Sequence, residues 1–280
     1  MASIDEIKEI STRIKRDIIQ LTSANTGHPG GAIGAADIIA ELYFSRLRHD
    51  PSNPNWEDRD RFVLSNGHLC TALYSAMARS GYFELSELQT FRKIDSRLQG
   101  HPSKHDLPGL ETSSGPLGQG LSIANGMALS NRLRNSDAKV YCLVGDGEIQ
   151  EGQIWEAAMT SSHYNLDNLA LIINWNDIQI DGHVKDVMNI EPIAEKFSAF
   201  GWNTIEIDGH NVREIKDAFD SFENHRGAPT AIVAKTVIGK GVSYMEHEPI
   251  WHGKAPSSDE AKQALDEIGP SRFGEDLIFQ

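Results

Sequence analysis

Two residues with chemical potential frame the stretch GDGEIQEGQIWEAAMTSSHYNLDNLALIINWN, which runs from Gly145 to Asn176. Asp146 lies between Gly145 and Gly147 directly after the apolar run KVYCLV, and Asn176 closes the apolar run LALIIN. A carboxylate, an amide and bare glycine backbone suit a seat for Mg²⁺ and a phosphate group. Magnesium takes a few protein oxygens and completes its shell with phosphate oxygens and water. The glycines let the backbone come close and offer N–H donors to the anion. By itself GDG is more often an ordinary strand-end turn, and a lone Asn an ordinary loop amide. The pair at this spacing is much more specific.

Four of the eleven histidines sit in glycine-rich turns: His28 in TGHPGG, His68 in SNGHLC, His101 in QGHPSKH and His252 in IWHGKAPSS. One such histidine is usually a solvated loop residue; four change the odds. Imidazole exchanges protons near neutral pH, as general acid–base work on sugar hydroxyls requires. Zinc is the rival ligand, but the four lack short metal-site spacings and have no cysteine support. His105, His163, His183, His210 and His225 match no pattern and are expected on the solvated surface, while Cys70 and Met127 are expected in the core.

These side chains need a scaffold. Ile4, Ile7, Ile10, Ile14, Ile18 and Leu21 recur at helical spacing, which predicts an amphipathic first helix ending near Thr22. RFVLSNGHLCTALYSAMARSG reads as strand, turn and a helix stopping at Gly81. Gln99–Gly120 is rich in Gly, Pro, Ser and His, and so long an irregular segment is usually functional or disordered. Then KVYCLV, LALIIN, NTIEID and TAIVAKT read as strands, with helices GQIWEAAMTSSHYN and VREIKDAFDSFEN among them. This alternation predicts an α/β fold, a parallel sheet flanked by helices on both faces. In such sheets ligands bind beyond the carboxyl ends of strands, and a strand–helix–strand crossover brings Asp146 and Asn176 to one edge.

Composition narrows the classes. With 39% hydrophobic and 24% charged residues, the 280-residue chain reads as an ordinary globular protein. A net charge of −14 argues against nucleic-acid binding, which needs clustered Lys and Arg. Cys70 and Cys142 lie in apolar runs, so buried reduced thiols are expected. MASIDEIKEI lacks the apolar core of a signal peptide, and no apolar run approaches membrane-spanning length. A cytoplasmic chain without membrane contact is the expectation.

GDG followed by a helix, a strand and then Asn176 resembles the thiamine diphosphate motif. With GHPGG, SNGH, GHPS, GPLGQG and WHGKAP in this order, the chain resembles the transketolase family from about Ile4 to about Asp259. The resemblance implies the diphosphate-binding fold of thiamine diphosphate enzymes. It implies Mg²⁺, with Ca²⁺ or Mn²⁺ as substitutes, held by Asp146, Asn176 and the Ile178 carbonyl. Gly145 and Gly147 would lie at the diphosphate, His68 beside it, and His252 between diphosphate and substrate. Gly115 and Leu117 would meet the aminopyrimidine. His28 and His101 would contact the donor sugar, and proton transfer would fall to His28 or His252. Glu151 would connect paired active sites.

Transketolases are considerably longer, and the resemblance covers only their first domain. Residues 1–280 are therefore expected to form one diphosphate-binding domain with an N-terminal helix and a C-terminal extension. A partner chain would bring the pyrimidine-binding and C-terminal domains, including the carboxylate that activates the cofactor, in an α₂β₂ assembly. The reaction implied is transfer of a two-carbon ketol unit between sugar phosphates. Alternatives are a half-enzyme resembling 1-deoxyxylulose 5-phosphate synthase, a specialised transketolase for a sugar such as apulose 4-phosphate or a sulfosugar, and a non-catalytic cofactor-binding module. A Rossmann oxidoreductase is disfavoured because no G-x-G-x-x-G opens a strand–helix unit.

Overall fold

The computed structural model describes residues 2–279. The first helix, α1 (Ile4–Asn25), starts with a capping box in which Glu6 N–H donates to Ser3 Oγ (3.2 Å) and Ser3 N–H to Glu6 Oε2 (2.7 Å). These bonds satisfy donors that a helix start leaves free. Ile7, Ile10, Ile14, Ile18 and Leu21 are all buried. The helix continues past the expected end at Thr22, whose buried hydroxyl bonds back to the Ile18 carbonyl (2.7 Å). Helix α2 (Pro29–Glu41) begins with proline, whose fixed φ suits the first turn, and is buried on every side.

Strand β1 (Arg61–Leu64) and helix α3 (Cys70–Ser80) follow, the helix ending at Gly81 with φ 98°, as the sequence predicts. After the irregular segment come α4 (Gly120–Leu133), β2 (Val140–Gly145), α5 (Gly152–His163) and β3 (Leu169–Trp175). A hairpin of β4 (Ile178–Gln179) and β5 (Gly182–His183) then leads through α6 (Val184–Met188) and α7 (Ile193–Ala199). The chain closes with β6 (Asn203–Asp208), α8 (Val212–Asn224), β7 (Thr230–Lys235) and α9 (Ser258–Ile268). The sequence pattern does not reveal the hairpin, α6 or α7, which are too short for a periodic signal.

The main sheet has five parallel strands in the order β1-β2-β3-β7-β6. Its side chains alternate between two cores, so the central strands are apolar throughout. Tyr141, Leu143, Ala170, Ile172, Ile232 and Ala234 pack with α1, α2, α3 and α8. Cys142, Val144, Leu171, Ile173 and Val233 pack with α4, α5 and α7. Cys70 and Cys142 are buried free thiols, one in each core. Register pairs Gly145 with Asn174 and Asn174 with Ala234. The carboxyl ends of β2, β3 and β7 are thus level, and whatever follows each strand emerges at one edge. Among the described residues, no helix is long and apolar enough to cross a membrane.

His210 departs from the surface expectation. Its Nδ1 faces Asp37 Oδ2 at 2.9 Å, and its Nε2 accepts the Val237 N–H at 2.8 Å. Asp37 is buried on α2 and also accepts from Ser11 Oγ (2.6 Å) and Lys15 Nζ (3.0 Å). His183, facing Asp177 at 3.1 Å, and His225 are half-buried too, whereas His105 and His163 are exposed. Met127 is half-buried against the second core.

The Asp37 cluster ties α1 and α2 to the segments following β6 and β7. Burial alone would raise the Asp37 carboxyl, but Lys15, His210 and Ser11 outweigh it and hold the group at about 2. This depressed carboxylate stabilises the fold above its unfolded pKa, and that contribution is lost as pH falls towards 2. Asp37→Ala is expected to cost about 3–5 kcal/mol in urea unfolding at pH 7, because it strands a buried charge. The deficit against the unaltered protein should shrink between about pH 4 and pH 2.

Candidate active site

Asp146 leaves the end of β2 with only 2% exposure. Its Oδ1 accepts the Gly147 N–H at 2.8 Å, and its Oδ2 accepts the Asp177 N–H at 2.5 Å. The second bond closes the gap between the ends of β2 and β3. Asp177 makes the turn in a left-handed conformation (φ 60°), and Asn176 Oδ1 accepts the Ile178 N–H at 2.9 Å. The carboxylate and the amide that the sequence places thirty residues apart therefore meet at one sheet edge. Burial lifts the Asp146 carboxyl to about 7 against the pull of the Gly147, Asp177 and Asn176 amides. A carboxylate so starved of solvent is stabilised by a cation. A buried carboxylate and an amide oxygen at one edge are hard oxygen donors of the kind that would suit Mg²⁺.

The edge opens into a cleft of about 380 Å³. His28, His68, His101 and His252 all line it, together with Gly115, Leu117, Gly145, Asp146, Gly147, Glu151, Asn176 and Ile178. Every candidate from the sequence thus lies on one surface. His28 stands at the start of α2, where helix and loops crowd together. A side chain at Gly30 would come within 2.5 Å of Ile238 and 2.7 Å of the Trp251 carbonyl, so only glycine lets the His252 turn pack against α2.

The imidazole rings form a cluster. Centroids lie 5.3 Å apart for His28 and His68, 5.1 Å for His68 and His252, and 5.8 Å for His28 and His252, with His101 at 6.5 Å from His28. Burial, then the His252 and Arg92 charges, lower His28 to about 4. Burial also holds His68 well below the usual imidazole range, and lowers His101 and His252. The cluster is therefore neutral near pH 7, each ring offering one donor and one acceptor.

Three features of the site were not legible in the sequence. Glu148 is 3% exposed and accepts from Ser65 Oγ, from Gly118 N–H (2.8 Å) and from Gly145 N–H (3.0 Å). It ties the loop bearing Gly115 and Leu117 to the GDG turn, and Gly118 meets it from a backbone at φ +83°. The hairpin contributes Gln179, Ile180 and Asp181 to the cleft. Arg92 bonds Thr26 Oγ1 at 3.1 Å and sends its field onto His28 and His101. A carboxylate directly after GDG was the available signal for the first; nothing local marks the others.

Known proteins resemble this chain in sequence and in fold. Residues 7–273 match the family model described as "Transketolase, thiamine diphosphate binding domain". The chain is 38% identical to one of the subunits of the apulose-4-phosphate transketolase of Actinobacillus succinogenes, over 95% of this chain and 97% of that protein. It is also 38% identical to a 6-deoxy-6-sulfo-D-fructose transketolase subunit of a Clostridium species, over 91% of this chain and 92% of that one. Against human transketolase it is 38% identical, but spans only 42% of that protein's length. The crystal structure of Campylobacter jejuni transketolase superposes with a TM-score of 0.89 at 36% identity, covering 97% of this chain and 44% of that one.

The Glu148 clamp makes a stability prediction. Glu148→Ala strands two backbone N–H groups and a hydroxyl, and should cost about 3 kcal/mol or more in denaturant unfolding. Glu151→Ala, at an exposed position, should stay within about 0.5 kcal/mol of the unaltered chain.

Proposed function

This chain belongs to the transketolase family as its thiamine diphosphate-binding part, and from that premise we propose that it is the N-terminal subunit of a two-subunit transketolase. Residues 1–280 would form a single diphosphate-binding domain, with α1 in front and the segment from α9 onward as an extension. A partner subunit would supply the pyrimidine-binding and C-terminal domains in an α₂β₂ assembly. The observation that carries this reading is the junction of Asp146 with the Asn176–Ile178 turn, inside a cleft that also gathers four histidines.

In this reading Asp146, Asn176 and the Ile178 carbonyl hold Mg²⁺, and His68, Gly145, Gly147 and His252 receive the diphosphate. Gly115 offers backbone and Leu117 an apolar surface to the aminopyrimidine. Bound thiamine diphosphate supplies an electron sink for breaking the bond between carbons 2 and 3 of a ketose. The protein's part is orientation, proton movement and exclusion of water. His28 and His101 hydrogen-bond the donor sugar's hydroxyls, and neutral His28 or His252 accepts the hydroxyl proton as that bond breaks. Glu151 stands exposed beside the cleft, free to face a paired site.

The narrower form of the proposal is a transketolase for an unusual sugar, a sugar phosphate such as apulose 4-phosphate or a sulfosugar. It is supported by the near-complete length match to subunits named for apulose 4-phosphate and 6-deoxy-6-sulfo-D-fructose.

The test of the two-subunit reading is to purify the chain alone and with its candidate partner, then assay ketol transfer with Mg²⁺ and thiamine diphosphate. Activity is expected only from the mixture; full turnover by the isolated chain overturns it. In the mixture, Asp146→Ala should abolish Mg²⁺-dependent cofactor binding measured by calorimetry. His28→Ala should leave that affinity in place and lower kcat by about 10²-fold or more.

A further inference from the structure

Asn66 sits at the end of β1, two residues before His68, and is only 1% exposed. Neither Nδ2 nor Oδ1 of its side chain has a hydrogen-bond partner among the described residues. Ser114 Oγ and His28 Nδ1 nearby are also without partners among the described residues, but three polar side chains at the strand ends are paired. Ser65 Oγ donates to Glu148, Asn174 Oδ1 accepts from Thr236 Oγ1 at 2.7 Å, and Asp146 accepts two backbone N–H groups. Buried side-chain amides are normally satisfied, and one left without a partner costs free energy in the folded chain. Such a cost is usual where a polar group is reserved for a ligand.

The location says which part of a ligand. Asn66 lines the cleft between His68 and the GDG turn, and its Nδ2 lies 3.8 Å from where a side chain at Gly145 would begin. This is the region of backbone amides and imidazole donors, away from the apolar rim at Leu117 and Ile180. An amide nitrogen here meets an anion.

Resting on the thiamine diphosphate reading, we propose that Asn66 is a binding residue for the diphosphate, donating its side-chain N–H to a phosphate oxygen between His68 and Gly147. The uncharged amide serves this position because it donates without adding a second carboxylate beside Asp146.

The experiment measures binding of Mg²⁺–thiamine diphosphate, and separately of Mg²⁺–pyrophosphate, to the chain assembled with its partner. Asn66→Ala should weaken both probes by roughly 10- to 100-fold. The isosteric Asn66→Asp should weaken them at least as much, because it replaces the donor with a negative charge. Cofactor-free melting should be unchanged or higher for Asn66→Ala, since an unsatisfied buried group has been removed. If the unaltered assembly binds neither probe, the cofactor reading itself fails. If it binds both and the Asn66 variants bind equally well, that reading stands and the assignment of Asn66 is overturned.

Discussion

The bond from the Asp177 amide to the Asp146 carboxylate, 2.5 Å long, is the constraint around which the site is arranged. It requires β2 and β3 to be neighbours, parallel and in a register that brings Gly145 level with Asn174. A slip of one residue would turn every side chain of these buried strands to the opposite core. The apolar runs KVYCLV and LALIIN therefore do more than fill space. Their alternation between two cores is what fixes an oxygen of β2 against a turn after β3.

Around this junction the molecule uses buried polar ties where a smaller site would use loops alone. Glu148 joins three chain segments through one carboxylate, and Asp37 with His210 joins four. Both groups sit in low-dielectric surroundings, where a satisfied network rigidifies and a broken one is costly. The catalytic candidates themselves hang on glycine turns. These turns set the approach of backbone to ligand, and the buried carboxylates hold the turns.

What was legible in the sequence was what repeats locally. Apolar runs of strand length, separated by amphipathic helices, fix the α/β class, and the five parallel strands follow that pattern. Asp146, Asn176 and the four histidines stood out because charged, amide or imidazole groups in glycine turns are unusual. Glu148 did not, since its sequence neighbourhood resembles any acidic first turn, and only the distant Ser65 and Gly118 reveal its burial. His210 failed for the same reason: its partners Asp37 and Val237 come from other elements. The β4–β5 hairpin has strands of two residues each, too short to leave a period. Local pattern finds elements and conspicuous turns, while long-range pairing of ordinary-looking residues escapes it.

The four imidazoles are held in their uncharged form, and among the described residues no lysine or arginine lines the cleft they share. A pyrophosphoryl group entering here would find dipoles on the cleft wall and no cationic side chain there, with Arg92 acting on the imidazoles from outside that lining, in a molecule already carrying −14. Electroneutrality would then have to be imported: on the proposed reading, the divalent ion would bring the positive charge that the walls lack for the vitamin derivative.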